Sequence, residues 1–369
     1  MTAPNPVDLQ EMTGHFRLDG EYLRGAPVKA GHINDTYTSC FRTTAGIVRY
    51  IHQRINPEVF KEPEKLMENI ERVTRYARER IIASGGDARR ETLTLLPTVD
   101  GRSSYKTPEG EYWRSYVFIE GARTYDKVEN LQHVYNAAKA FGKFQKMLSL
   151  LPGGRLHETI PYFHHTRKRF DAFCGALQAD ARNRAVSVRA EIDFVLERES
   201  EVSIIVGLLE GDKIPERVTH NDTKLNNVMI DDKTGEGICV IDLDTVMPGS
   251  ALYDFGDSVR IGASTAAEDE RDLSKVSMEL GLFDCLARGY LDAARDFLTP
   301  AEMDYLAFSA KLMTLECGMR FLTDYLSGDI YFKIHREAHN LDRCRTQFKM
   351  VADMEEMMDR MNAIISNYR

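Results

Sequence analysis

Two hydrophobic periodicities divide this chain, and one kind of secondary structure cannot satisfy both. Up to about Gly121 the apolar residues come in short β-like runs. Residues 46–55 (GIVRYIHQRI) are rich in β-branched and aromatic side chains behind Gly46. The stretch TLTLLPTVDGRSSYKTPEGEYWRSYVFIEG offers four or so strands, with Asp100-Gly101 and Pro108-Glu109-Gly110 as hairpin turns. One helix is expected among them, over 63–83, where Leu66, Ile70, Val73, Tyr76 and Ala77 fall at helical spacing and Pro63 suits a first turn. From about 130 onward the spacing predicts long amphipathic helices over 130–150, 188–210, 266–297, 300–326 and 337–365. Met350, Met354, Met357, Met358 and Met361 read as core packing of the last one. With 369 residues one core is too large, so two substructures with a cleft are expected. The fold class is α+β: a β-rich N-lobe over 1–121, and a mainly helical C-lobe over 122–369.

The helical part has one interruption, RVTHNDTKLNNVMIDDKTGEGICVIDLDT over 217–245, which reads strand, loop, strand, turn, strand. The loop offers a carboxylate at Asp222 and an amide at Asn227; the hairpin then returns the chain to deliver Asp242. Magnesium takes oxygen ligands in octahedral geometry, and one carboxylate plus one amide oxygen is a sufficient protein share when phosphates and water complete the shell. A further carboxylate outside the metal shell can orient a hydroxyl and take its proton. Phosphoryl transfer requires little else, because positioning and charge neutralisation account for most of its catalysis. Asp222 is therefore the candidate base, Asn227 and Asp242 the candidate metal ligands, and Lys224 a cation for the transferring phosphate. His220 reads as structural. Asp244 reads either as a second metal contact or as a turn residue.

Charge and cysteine content narrow the class. Lys plus Arg number 48 against 57 Asp plus Glu, a formal charge of −9, which argues against a nucleic-acid-binding surface but leaves room for a local phosphate site. No run approaches the ~18 apolar residues of a membrane span, and MTAPNPVDLQEMTG does not read as a signal peptide. Six scattered cysteines, never as C-x-x-C, read as free thiols in a reducing compartment. The expectation is a cytoplasmic protein with no structural metal, no membrane partner and an open oligomeric state.

The pattern H-x-D-x-x-x-x-N, a hydrophobic hairpin and I-D resembles the aminoglycoside phosphotransferase-like kinases, relatives of the protein kinases. The fuller form, H-N-D-T-K-L-N-N-V, then I-D-L-D-T-V-M-P-G and Y-D-F-G-D, resembles the N-acetylhexosamine 1-kinases. GHINDTY (31–37), QRIN (53–56), PEKLMENIERVT (63–74), FHHT (163–166) and NLDRCRTQF (340–348) fit that group too. The resemblance implies a bilobal protein-kinase-like fold, ATP and Mg2+, and a free N-acetylglucosamine or N-acetylgalactosamine phosphorylated at its anomeric hydroxyl. The chain has no G-x-G-x-x-G, V-A-I-K or A-P-E motif and no Arg between His220 and Asp222, so a small-molecule acceptor fits better than a protein.

The resemblance also implies where ligands meet the chain. Gly31, Asn34 and Thr36 would cover the nucleotide, with His32 facing the sugar. A phosphate-binding cation belongs on strand 46–55, where Arg54 is preferred to Arg49, and its anionic partner on helix 63–83 would be Glu68. The segment Tyr116–Gly121, with Phe118 and Glu120, would carry the adenine edge. Asp257, Arg260, Arg320 and Tyr331, with Asp222 itself, are the sugar-contact candidates. Arg320 lies in an apolar helix, so it requires either a ligand or an ion pair with Glu316 or Asp257. Asp254-Phe255-Gly256 spells the protein-kinase metal tripeptide but lies too far downstream, and Asp254 is expected to cap the segment after it. The alternatives are a phosphotransferase for an aminoglycoside, choline or another sugar, and a non-catalytic nucleotide-binding protein. Asp353, Glu355, Glu356 and Asp359 offer the one superficial argument for a polycationic acceptor.

Overall fold

The computed structural model describes residues 8–28, 33–125 and 130–369. Strands β1 (Glu21–Val28), β2 (Asp35–Thr43), β3 (Gly46–Arg54), β4 (Leu95–Leu96), β5 (Tyr105–Lys106) and β6 (Tyr112–Val117) form one antiparallel sheet. Its order is β1-β2-β3-β6-β4, with β5 also pairing to β6. The stretch expected to hold about four strands thus holds three. The two expected turns are present, with Gly101 at φ +88° and Gly110 at φ +91°, a region that suits glycine.

A short helix α1 (Leu9–Thr13) precedes the sheet, and α2 (Pro63–Ala83) starts on Pro63 and buries Leu66, Met67, Ile70, Val73, Ala77 and Ile81. Asn69, fully buried on α2, is a fastening. Its amide donates to the carbonyls of His157 (2.8 Å) and Val246 (3.1 Å) and accepts the His157 N–H (3.0 Å). The first of two compact units accordingly comprises Met1–Ala122, Leu151–Ile160 and Ile238–Val246. The chain returns to this unit twice, which a single boundary at 121 does not describe.

Within the sheet, His52 is fully buried between two hydroxyls, Ser39 at Nε2 and Ser115 at Nδ1, both at 2.7 Å. Burial pushes the ring down to about 4. An unfolded histidine titrates near ~6.5, so the folded state binds fewer protons between those values. Stability from this site is complete above pH ~6.5 and is lost as pH falls toward 4, by at most about 3 kcal/mol. Urea midpoints at pH 7 and pH 4.5 should differ more for the wild type than for His52→Asn; equal differences would exclude the effect.

The second unit comprises Arg123–Leu150, Pro161–Gly237 and Met247–Arg369. Its helices are α3 (Leu131–Leu148), α4 (Thr166–Ala179), α5 (Arg189–Leu196), α6 (Ile204–Glu210), α7 (Ala251–Gly262), α8 (Leu280–Ala294), α9 (Pro300–Ser327) and α10 (His339–Ser366). Helix α9 is apolar nearly all round because it separates two clusters. Leu306, Leu312 and Met313 pack with Phe255, Phe283, Met350 and Met354, whereas Leu315, Met319 and Leu322 pack with Phe170, Phe173 and Phe348. A Thr299–Glu302 capping box starts α9. The methionines of α10 serve the core, with Met350, Met354 and Met361 buried and Met357 and Met358 packed against them.

Two helical expectations need correction, and one helix is additional to them. The stretch 188–210 is broken, because Arg198 turns back to cap the Phe194 carbonyl (2.7 Å) and a 3-10 turn, Glu199–Glu201, intervenes. The stretch 266–297 becomes α-helical only at Leu280, after a single 3-10 turn at Leu273–Lys275. Before that, Thr265 and Asp272 bond backbone groups through their own side chains and divert the chain from a helix. Helix α4 has little periodic signal, because only Thr166, Phe170 and Phe173 of its 14 residues are buried. No helix among the described residues is long and apolar enough to cross a membrane.

Candidate active site

Strand Arg217–Thr219 pairs antiparallel with Met247–Gly249 and delivers the chain into His220–Asn227. His220 is fully buried, its ring edge-on to Phe141 (5.4 Å) and Phe144 (6.0 Å), as its structural reading requires. Asp254 holds the loop that follows. Its carboxylate accepts the N–H groups of His220 (2.8 Å) and Asn221 (2.7 Å) and the Gln145 amide (2.5 Å). Burial raises its pKa, and those same donors oppose the rise.

Asp254 therefore does not cap the segment after it, as expected; Ser250 caps α7, and Asp254 caps the loop 34 residues upstream. Its two neighbours are structural as well. Phe255 is buried against Phe283 and Tyr290, and a Cβ at Gly256 would lie 2.4 Å from the Ser309 carbonyl, so glycine permits the α7–α9 approach.

The loop presents three candidate side chains together. Asp222 is half-buried, and its Oδ2 accepts from Lys224 Nζ (2.8 Å) and Asn227 Nδ2 (3.2 Å). Asn227 Nδ2 also donates to the Asp222 carbonyl (2.8 Å). With the NH2 face of Asn227 committed to Asp222, its Oδ1 makes no hydrogen bond among the described residues. Asp222 Oδ1 likewise takes none among them.

Asp257 and Arg260 turn out to be partners of the loop and of each other. Asp257 accepts the Thr223 N–H at 2.8 Å and the Arg260 guanidinium at 2.8 Å, and Arg260 also pairs with Glu268 at 2.9 Å. Burial would raise the Asp257 pKa, but Arg260, His164 and the Thr223 N–H hold it below the carboxylate range. Arg320 forms neither of the ion pairs weighed for it. Its guanidinium lies over the rings of Phe163 (5.0 Å) and Phe332 (5.6 Å), and Glu316 is instead bonded to His164 and Thr166. Tyr331 is exposed on a loop whose N–H groups at 330, 331 and 332 converge on the buried Asp324.

In the first unit Asp242 is exposed, in a left-handed conformation (φ +59°). Asp244 is buried and is an ion-pair residue: it bonds the buried Arg114, which Gln53 also holds, and accepts from Asn34 at 2.5 Å. Asn34 is thus tied to Asp244, while Thr36 accepts from Gln53 at 3.2 Å. Arg54 is shared between Asp35 and Glu111. Glu68 pairs with His157 (2.8 Å) and not with Arg54, because those two acids already neutralise Arg54 on the sheet. Glu120 binds Arg49, whose guanidinium covers the Phe118 ring at 3.7 Å. Gly31 and His32 lie outside the described residues.

Sequence reasoning missed Arg114, Gln145 and the His164–Glu316 pair. The available signals were an arginine inside the apolar strand YWRSYV and the segment FHHT (163–166), which contains His164.

A family model for the phosphotransferase enzyme family, APH, matches residues 24–281. The chain belongs to that family. Solved structures of similar fold include an amicoumacin kinase in complex with AMP-PNP and Ca2+ (13 % identity, 98 % of this chain and 94 % of that chain, TM-score 0.58). Others are an aminoglycoside phosphotransferase from Alicyclobacillus acidocaldarius (12 %, 99 % and 98 %, TM-score 0.57) and a choline kinase from Cryptosporidium parvum (15 %, 93 % and 92 %, TM-score 0.57). At these identities the likeness shows the fold: α+β and protein-kinase-like, with an antiparallel sheet unit and a helical unit. As an APH member the chain is a small-molecule phosphotransferase acting on a hydroxyl acceptor.

Proposed function

We propose that this APH-family enzyme transfers the γ-phosphate of ATP to the anomeric hydroxyl of a free N-acetylhexosamine. The observation that carries the acceptor class is the charge beside the catalytic loop. Phe163 precedes His164, which bonds the Asn221 carbonyl next to Asp222, and Arg320 lies over Phe163. Arg169 sits close enough for its pKa to be lowered, chiefly by burial and then by Arg320. The nearby carboxylate, Glu316, is already bonded to His164 and Thr166.

A cationic acceptor such as choline or an aminoglycoside would meet this excess of arginine at a cost. An uncharged sugar with an acetamido carbonyl would gain from it. Gln347, buried on α10 with an Oε1 that has no hydrogen-bond partner among the described residues, adds an acceptor of the kind a sugar hydroxyl needs. Of the acids that suggested a polycationic substrate, Asp353 is engaged by Lys349 and the Met278 N–H and Glu355 by Arg198 and Lys311, while Glu356 and Asp359 lie exposed on α10.

Asp222 acts as the base. Lys224 and Asn227 occupy its Oδ2, which leaves Oδ1 to accept the acceptor's hydroxyl proton as the bond to phosphorus forms. Asn227 and Asp242 would hold Mg2+, which neutralises charge on the transferring phosphate. The orientation of the Asn227 amide fits that role, since its oxygen is the face not used by Asp222. Among the described residues no group of three or more His, Cys, Asp or Glu is arranged to hold a metal ion, so ATP phosphates and water would complete the shell. Lys224 stands where it can exchange Asp222 for the γ-phosphate as negative charge moves.

A panel of acceptors with Mg·ATP, followed by NMR of the product, tests the proposal. N-acetylglucosamine or N-acetylgalactosamine should exceed choline and aminoglycosides in kcat/KM by well over tenfold, as a difference of about 2 kcal/mol requires. A sugar 6-phosphate would overturn the anomeric assignment, and preference for choline would overturn the acceptor class. Arg320→Ala should raise the acceptor KM and leave the ATP KM unchanged.

A further inference from the structure

We infer that His164 is a positioning residue for phosphoryl transfer, its ring tying the Glu316 carboxylate to the carbonyl of Asn221 and so fixing the peptide that carries Asp222. The inference rests on the reading of Asp222 as the base.

His164 Nδ1 lies 2.7 Å from Glu316 Oε1 and Nε2 lies 3.0 Å from Asn221 O. The Asn221 carbonyl only accepts, so the ring holds it by donating from Nε2, with Nδ1 facing the Glu316 carboxylate. Glu316 is almost wholly buried, and its second oxygen accepts the Thr166 hydroxyl at 2.5 Å. Burial alone would raise the Glu316 pKa, yet His164 and Thr166 hold it below the usual range. The other groups facing the ring are Asp257, Tyr253 (centroids 5.4 Å apart) and Phe163 (4.5 Å).

Asn221 is left-handed, with φ +64°. Its N–H is held by Asp254 and its side chain by Thr219. The peptide from Asn221 to Asp222 meets a histidine at each end, His164 at its carbonyl and His220 Nδ1, at a long 3.3 Å, at its N–H. Without His164 the carbonyl end loses this buried donor, the peptide plane tilts, and the Asp222 carboxylate moves with it.

The test uses the full-length enzyme as wild type, His164→Gln, Glu316→Gln and the double variant. His164→Gln should lower kcat by about 10²-fold, the cost of a displacement of about 1 Å, with the ATP KM unchanged. Its amide can donate to Asn221 O, but its oxygen then faces the Glu316 carboxylate. In the double variant the amide introduced at position 316 donates to that oxygen, so at least tenfold of the loss should return. A merely structural defect would not be rescued. A kcat for His164→Gln within about threefold of wild type, or a double variant no better than the single, overturns the proposal.

Nitrogen-15 NMR of the wild type gives a readout independent of any acceptor: His164 Nε2 should carry a solvent-protected proton. A ring without a proton on Nε2 overturns the inference even if His164→Gln fails to fold. Absence of wild-type phosphotransfer to any acceptor would instead overturn the assignment of Asp222.

Discussion

Asp222→Asn should lower kcat by about 10³-fold, within the range that a general base contributes, and leave ATP binding intact. The substitution keeps the shape of the side chain and one oxygen for Lys224 or Asn227, but the amide cannot take the acceptor's proton. The loop should survive, because its backbone is held from outside residue 222, by Asp254 at His220 and Asn221 and by Asp257 at Thr223. Steady-state kinetics paired with calorimetric titration of Mg·ATP check both halves. Near-normal turnover would remove Asp222 from the chemistry. Lost ATP binding would mean that the residue serves the nucleotide.

The second large effect is on stability. Arg114 and Asp244 form an ion pair whose side chains are 1 % and 4 % exposed. Burial alone would lower the Arg114 pKa, but Asp244, with Tyr116 and Asp242 adding to it, more than offsets that and raises it. Deleting either partner strands a charge with no water to solvate it, which costs about 3–5 kcal/mol, whereas removing both charges together costs much less. Arg114→Met and Asp244→Asn should each shift the urea midpoint strongly downward, and the double variant should lie well above the sum of the two. Additive losses would show that the charges do not depend on each other. The segment that carries Asp244 also carries Asp242, so the single variants should weaken activation by Mg2+ as well.

Much of the architecture was legible beforehand. The β-branched and aromatic run GIVRYIHQRI and the 63–83 helix are legible to within a residue or two, because each pattern reports on its own element. The loop 220–227 was equally legible. Its side chains are near neighbours in sequence, so the contacts of Asp222 with Lys224 and Asn227 follow once the chain turns there. The broken helices at 188–210 and 266–280 were not legible, since side-chain-to-backbone bonds ended them against their periodicity.

The electrostatic pairings were the least accessible. Arg54 looked available on its strand, but Asp35 and Glu111 hold it; Glu68 faces His157; Asp257 and Arg260 serve the loop and each other. Each of these residues has the right chemistry for the role first expected of it, and only its neighbours assign it another.

By itself, then, the sequence determined the order of strand and helix and the set of groups on the loop, because periodicity and short spacing act locally. Tertiary structure alone decided which charge meets which. Arg114 finds Asp244 across 130 residues and His164 finds Glu316 across 152. No local pattern records such partners, since a buried charge is neutralised by whatever the packed core brings to it.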